Sequence, residues 1–83
     1  MALYLLSYDL CKEKDYQKLY DELKKYQAIR ILESDWCFRR DNTTAVALRD
    51  HFEQYIDDDD RLFVAEIKDW ASHNIMANPN NLK

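Results

Sequence analysis

Apolar residues follow two different periods along this chain, and each change of period marks a boundary between elements. Residues 2–10 alternate with the period of a β-strand and are apolar on both sides, as are residues 61–67. Residues 15–26 and 43–56 repeat their apolar positions at helical spacing, which predicts two amphipathic helices. Between the helices, residues 28–40 contain two short apolar runs around a polar triplet, which indicates two strands joined by a hairpin or a bulge.

The predicted order of these elements is strand, helix, strand, strand, helix, strand. This order is typical of a ferredoxin-like βαββαβ sandwich, an α+β fold in which two helices cover one face of a four-stranded antiparallel sheet. We therefore expect a single domain over residues 1–70. Residues 71–83 hold the only proline, Pro79, and several asparagines, and they lack the periodicity of a core element. We predict that they form a polar tail, held in place by a partner or by the chain's own sheet.

The first and last strands are apolar on both faces, although two helices can cover only one face of the sheet. Soluble monomers rarely expose a contiguous apolar face of this size. A two-fold homodimer, with the two sheets packed face to face, would bury it. Leu5 and Phe63 are the residues that we expect at this dimer interface.

Polar residues predict where the helices begin, and the absence of glycine excludes several functions. Asp15 is the expected N-cap of the first helix, and Asn42 or Thr43 that of the second.

The chain contains no glycine, which excludes a Walker loop, a glycine-rich dinucleotide fingerprint and an EF-hand. Without glycine, the turn type of the hairpin stays open.

The charge and the length of the apolar runs limit the partners and the location that we expect. The formal net charge is −4, which weighs against non-specific nucleic-acid binding but leaves room for a local basic patch. No apolar run approaches the roughly 18 residues of a membrane span. There is no signal peptide at the N-terminus, so we expect a cytoplasmic protein without a membrane partner.

Several chemically versatile residues have a simple structural interpretation. Cys11 and Cys37 lie in or near apolar strands and have no zinc-ligand spacing with His51 or His73, so we interpret both thiols as inert. We expect His51 at the surface of the second helix. The run of four aspartates at positions 57–60 lacks the ligand spacing of a calcium loop, which favours a solvated acidic turn.

Two groups of charged residues have functional interpretations beside structural ones. Among three notable arginines, Arg30, Arg39 and Arg40, the last two end a strand and could contact phosphate in a nucleic acid. The alternative is that they pair with nearby acidic residues such as Asp41. Asp9 closes the first strand, where it could ligate a metal ion or cap the following turn.

Short motifs at the strand ends resemble those of one known family. The chain resembles the CRISPR-associated protein two superfamily, which also includes virulence-associated protein D, and it is most similar to the short stand-alone bacterial members. The motifs that carry this resemblance are Tyr8-Asp9, Glu33-Ser34 with Trp36 and Phe38, and Asp60-Arg61-Leu62 with Glu66-Ile67. The chain departs from the family pattern in three respects: it lacks glycine after the first helix and beyond the third strand, Ser34 is followed by the acidic Asp35, and the net charge is acidic.

The resemblance implies a homodimer whose C-terminal segment reaches toward the partner. It also implies a metal-dependent endonuclease acting on RNA or DNA, in which Asp9 of each subunit holds Mg²⁺ or Mn²⁺ at the two-fold axis. The superfamily also implies an alternative, a non-catalytic dimeric scaffold that binds another protein in a phage-defence or toxin–antitoxin context. The acidic net charge and the missing glycines favour this alternative.

Overall fold

The sheet and the two helices have the predicted order. The computed structural model describes residues 1–10 and 16–82, so Cys11 and the predicted cap Asp15 lie outside the described residues. The four strands form one antiparallel sheet in the order β2-β3-β1-β4, which confirms the α+β, ferredoxin-like prediction. Its elements are β1 (Ala2–Asp9), α1 (Gln17–Lys25), β2 (Ile29–Leu32), β3 (Asp35–Arg40), α2 (Ala45–Phe52) and β4 (Arg61–Ile67), with 3₁₀ turns at Glu53–Tyr55 and Pro79–Asn81.

The core lies between the helices and one face of the sheet. Alternate residues of β1 point toward the helices, as the strand period requires. They meet the apolar stripes of both helices and two aromatic residues of β3. The buried side chains of this cluster are Tyr4, Leu6, Tyr8, Leu19, Leu23, Trp36, Phe38, Leu48 and Phe52.

Two turns need a residue with a left-handed backbone, one after α1 and one after β3, and neither residue is a glycine. Gln27 follows α1 with a φ of 57°, and its N–H donates to Lys24 C=O at 2.9 Å. The Ala28 N–H donates to Leu23 C=O at 3.0 Å, which completes a Schellman motif. Gln27 thus stands where glycine is usual, after the first helix.

The second helix begins at Ala45, two residues after the predicted start at residue 43. Thr44 is its N-cap, and the Thr44 hydroxyl accepts the Ala47 N–H at 3.1 Å. The prediction of Asn42 or Thr43 was wrong because Asn42 has a φ of 57° and belongs to the turn that leaves β3.

A contact between a buried glutamate and a partly exposed histidine joins the two helices. Glu22 is buried on α1, and its Oε2 lies 2.5 Å from Nε2 of His51 on α2. The hydrogen bond to His51 is the main reason that the pKa of Glu22 lies below its usual value, and it outweighs the opposing effect of burial. The His51 side chain is 34% exposed, so our prediction of a simple surface position missed its structural partner.

The C-terminal segment folds back over part of the second face of the sheet. The Met76 N–H donates to Ile31 C=O at 2.8 Å, at the bulge in the edge strand β2, and Pro79 is buried. A cavity of about 340 Å³ separates this segment from Leu5 and Cys37 on the sheet. The chain therefore covers part of its own second face, which our count of covering helices did not anticipate. Among the described residues, no helix is long and apolar enough to cross a membrane.

Candidate functional site at the carboxyl end of the first strand

Asp9 ends β1 as an exposed carboxylate paired with an arginine. It lies opposite Arg61 in the antiparallel register of β1 and β4. Nη1 of Arg61 lies 2.9 Å from Oδ2 of Asp9, and the two side chains are 74% and 68% exposed. The alternative role of Asp9, capping the next turn, involves residues 11–15, which are outside the described part of the chain.

A groove of about 470 Å³ runs beside Asp9 and brings two of the sequence motifs together, Tyr8-Asp9 and Glu33-Ser34. The Tyr8 N–H donates to Ser34 C=O at 3.0 Å, so the hairpin turn between β2 and β3 lies next to the end of β1. The structure thus joins Tyr8-Asp9 with Ser34, which are distant in sequence. The groove is lined by Tyr8, Asp9, Leu10, Tyr16, Tyr20, Arg30, Glu33, Ser34 and Met76.

Arg30 is held in this groove by aromatic rings and by the hairpin turn. Its guanidinium lies 5.4 Å from the ring centroid of Tyr20 and 5.8 Å from that of Trp36. Its Nε donates to Glu33 C=O at 2.9 Å, and its Nη2 donates to the same oxygen. No carboxylate of the described residues forms an ion pair with it, so a fixed cation faces the groove.

The hydroxyl of Tyr8 is a hydrogen-bond donor at neutral pH. It donates to Glu33 C=O at 3.3 Å and lies 3.3 Å from the hydroxyl of Tyr20. Burial, and then the hydrogen bond to Tyr20, raise the pKa of Tyr8 to about 12. Tyr8 therefore keeps its proton and cannot serve as a general base near pH 7.

Arg39 and Arg40 lie at the opposite end of the sheet from Asp9. Leu3 pairs with Arg39 in the register of β1 and β3, and Asp9 lies six positions beyond Leu3 along β1. At about 3.3 Å per residue, this separation is about 20 Å. The guanidinium of Arg40 lies 4.0 Å from the ring centroid of Tyr26, a cation–π contact. The structure does not bring these two predicted nucleic-acid contacts together with Asp9.

The two predicted interface residues have different surroundings. Phe63 pairs with Ser7 in the register of β1 and β4, close to Asp9, and 63% of it is exposed. Leu5 lies on the same face but lines the cavity beneath the C-terminal segment. Of the two residues, Phe63 is the one that a partner can reach without moving this segment.

The acidic turn before β4 contains a cluster that the sequence pattern did not reveal. Asp57, Asp59 and Asp60 each place one carboxylate oxygen within 4.8 Å of the others. The turn is closed by the Asp60 N–H, which donates to Asp57 C=O at 3.0 Å. Such a cluster could hold a metal ion, but exposed acidic groups also gather without one. The spacing of consecutive aspartates did not show it because the turn geometry brings these oxygens together.

The fold and the groove define a small ferredoxin-like protein with a carboxylate and a fixed arginine at one end of its sheet. The family model described as "CRISPR associated protein Cas2" matches residues 1–75. The chain therefore belongs to this family, which confirms the resemblance seen in its sequence motifs. No solved structure matches the chain significantly.

Proposed function

We propose that the chain acts as a homodimer that cleaves RNA or DNA with Mg²⁺ or Mn²⁺ held between Asp9 of the two subunits. The observation that carries this proposal is the exposed carboxylate of Asp9 at the rim of a groove that also contains Arg30. Membership of a CRISPR-associated family supports a nuclease-like role at this site.

The residues at this end of the sheet fit such an ion by their chemistry. Mg²⁺ and Mn²⁺ prefer carboxylate oxygens, and Mg²⁺ keeps several waters, so one or two carboxylates are enough. Within each subunit we propose Asp9 as the ligand, and Asp9 of the partner would complete the pair. Without an ion, two adjacent carboxylates would repel each other. The chemistry that the ion supplies when bound is activation of water and neutralisation of phosphate charge.

The chain's own residues would bind and orient the nucleic acid. Arg30 presents a planar guanidinium that suits two oxygens of a phosphate, and its stacking on Tyr20 limits its movement. Because this cation is fixed before binding, little side-chain entropy is lost when a phosphate arrives. The half-buried ring of Tyr16 at the groove wall could stack on an unpaired base.

The proposed dimer interface is centred on Phe63. Asp9, Arg61 and Phe63 lie on the same face of the sheet because they occupy alternate register positions of β1 and β4. Packing of two such faces around Phe63 would bring the two Asp9 side chains toward the two-fold axis. We propose residues 1–70 as the domain that dimerises, with residues 71–83 as a tail at the edge of the interface.

Substitution of Asp9 tests the catalytic proposal. We expect Asp9→Asn to lower metal-dependent cleavage of RNA or DNA by at least about 100-fold, because it removes the charge that holds the ion. Asp41→Asn is the matched control, since Asp41 is an exposed aspartate at the other end of the sheet, 3.6 Å from the N-terminal amine. Equal cleavage by the wild type and Asp9→Asn, or no cleavage by either, would contradict the proposal.

A non-catalytic dimeric scaffold is the second candidate function. The ion pair of Asp9 with Arg61 favours it, because Asp9 already has a counter-charge. The net charge of −4 also suits a protein partner better than a nucleic acid. A tagged dimer that retains a defence-system protein from its host, and that shows no cleavage with Mg²⁺ or Mn²⁺, would support this second function.

A further inference from the structure

Arg61 is a charged neighbour of the proposed metal ligand. It begins β4 directly after the four aspartates at positions 57–60, and its Nη1 lies 2.9 Å from Oδ2 of Asp9. This oxygen is one of the two that Asp9 could offer to an ion. Arg61 is therefore bound to one of the two carboxylate oxygens that the proposed metal site needs.

We propose that Arg61 competes with the divalent ion for the Asp9 carboxylate. In this proposal, Arg61 neutralises Asp9 in the metal-free protein and leaves it when an ion arrives. The inference rests on the proposed function, because it assumes that Asp9 is a metal ligand. It adds a positioning residue that sets how tightly the ion is held.

Because the ion pair of Asp9 and Arg61 is exposed, replacing Arg61 by a metal ion costs little free energy. Both side chains are more than two-thirds exposed, and ion pairs of this kind contribute little to stability. Arg61 also has other carboxylates within its own segment, since Asp60 precedes it directly in the acidic turn. Leaving Asp9 therefore does not require Arg61 to lose all its acidic neighbours.

Arg61 and the divalent ion are both positively charged, which favours competition for Asp9 over a role of Arg61 in supporting metal binding. A guanidinium on Oδ2 repels a divalent cation that approaches the same carboxylate. A purely supporting arginine would instead hold the carboxylate in a useful orientation, and its removal would weaken metal binding. The two roles therefore predict opposite changes in affinity when Arg61 loses its charge.

Titration of the metal-free protein with Mn²⁺ distinguishes the competing role of Arg61 from the supporting one. Electron paramagnetic resonance measures the free Mn²⁺ at each step. We expect Arg61→Gln to bind Mn²⁺ about three- to fivefold more tightly than the wild type, the range set by an exposed ion pair. Arg61→Lys keeps the charge and should bind like the wild type. The gain of Arg61→Gln should shrink at high salt, which screens exposed charges.

Two variants separate failure of this inference from failure of the proposed function. Arg39→Gln removes an arginine about 20 Å from Asp9, beyond the Debye length of about 10 Å, and should leave the affinity unchanged. Asp9→Asn should lose the Mn²⁺ site. If Asp9→Asn binds Mn²⁺ as the wild type does, the metal site and the inference both fail. If binding depends on Asp9 but Arg61→Gln binds equally or more weakly, only the competition is overturned.

Discussion

The two ends of the sheet carry arginines in different settings. At the Asp9 end, Arg30 and Arg61 lie beside a groove and a carboxylate on an open part of the surface. At the other end, Arg40 lies 4.0 Å from the ring of Tyr26, which itself packs against the rings of His51 and Phe52. Arginines at one end thus line the candidate site, whereas Arg40 at the other end contributes to the packing of the helices.

The difference shows that a cation's position in a motif does not decide its role. Arg39 and Arg40 end a strand, as Asp9 does, and each is prominent in the sequence. Because β1 and β3 are antiparallel, however, the end of one strand lies beside the start of the other. Arg30, three positions before the hairpin turn at Glu33, is the arginine that this topology brings to the Asp9 groove.

Substitutions on the second face should produce the largest effects and test whether its two regions differ. We expect Leu5→Lys to lower the free energy of unfolding by about 2–4 kcal/mol, because it places a charge in the apolar cavity beneath the C-terminal segment. Phe63→Lys should change the stability of the monomer by no more than about 0.5 kcal/mol, because Phe63 is exposed. Urea unfolding of both variants at low concentration measures these changes.

Phe63→Lys should instead weaken the proposed dimer. An aromatic residue at the centre of an interface commonly contributes 2 kcal/mol or more, so we expect the dimer to weaken by at least about 30-fold. The melting temperature of the wild type should rise with protein concentration, and that of Phe63→Lys should not. A wild-type chain that sediments as a monomer at micromolar concentration would contradict the homodimer.

Alanine substitution of single arginines should affect nucleic-acid cleavage differently at the two ends of the sheet. We expect Arg30→Ala to lower kcat/KM for nucleic-acid cleavage by about 10- to 100-fold, the range for loss of a charged hydrogen bond. Arg39→Ala and Arg40→Ala should leave kcat unchanged and weaken nucleic-acid binding by a few-fold at most, because both arginines lie at the other end of the sheet. Steady-state kinetics at several salt concentrations measure these changes. A larger effect of Arg39→Ala than of Arg30→Ala on kcat would contradict this assignment.

The buried pair of Glu22 and His51 should make stability depend on pH. Because the pKa of Glu22 is lower in the folded state, its contribution is fully present above the pKa that a glutamate has in the unfolded chain. That contribution is lost as the pH falls through the lower, folded value. We expect Glu22→Gln to cost about 1–3 kcal/mol at pH 7 and to lose less stability than the wild type in acid.

Asp21→Asn is the control for this prediction. Asp21 is the exposed neighbour of Glu22 on α1, and its Oδ1 accepts a hydrogen bond from Gln17 at 2.7 Å. We expect it to change the free energy of unfolding by no more than about 0.5 kcal/mol. Thermal unfolding between pH 3 and pH 8 compares the variants. Parallel pH profiles of the wild type and Glu22→Gln would show that the buried pair does not govern the acid transition.

Much of the fold could be predicted because its signals are local. The last strand spans Arg61–Ile67, the residues that the alternating pattern predicted. The polar triplet after β2 includes the turn at Glu33 and Ser34, although Asp35 already belongs to β3. The beginning of α2 was misplaced because a left-handed backbone at Asn42 is not visible in composition.

The candidate site could be predicted only in part. The motifs indicated Asp9 and Ser34, and the structure brings both to one groove. Arg30 was noted among three arginines but given no role, although its place just before a hairpin was a usable signal. The Asp9–Arg61 pair depends on a register of hydrogen bonds between the first and last strands.

The sequence by itself determined the order of the elements and the apolar faces, because both follow from periods of two and 3.6 residues along the chain. It also carried the family motifs. Only the tertiary structure decided which charges meet Asp9 and how the C-terminal segment covers Cys37. These are contacts between residues far apart in the chain, and they depend on strand register and chain reversal, which local patterns leave open.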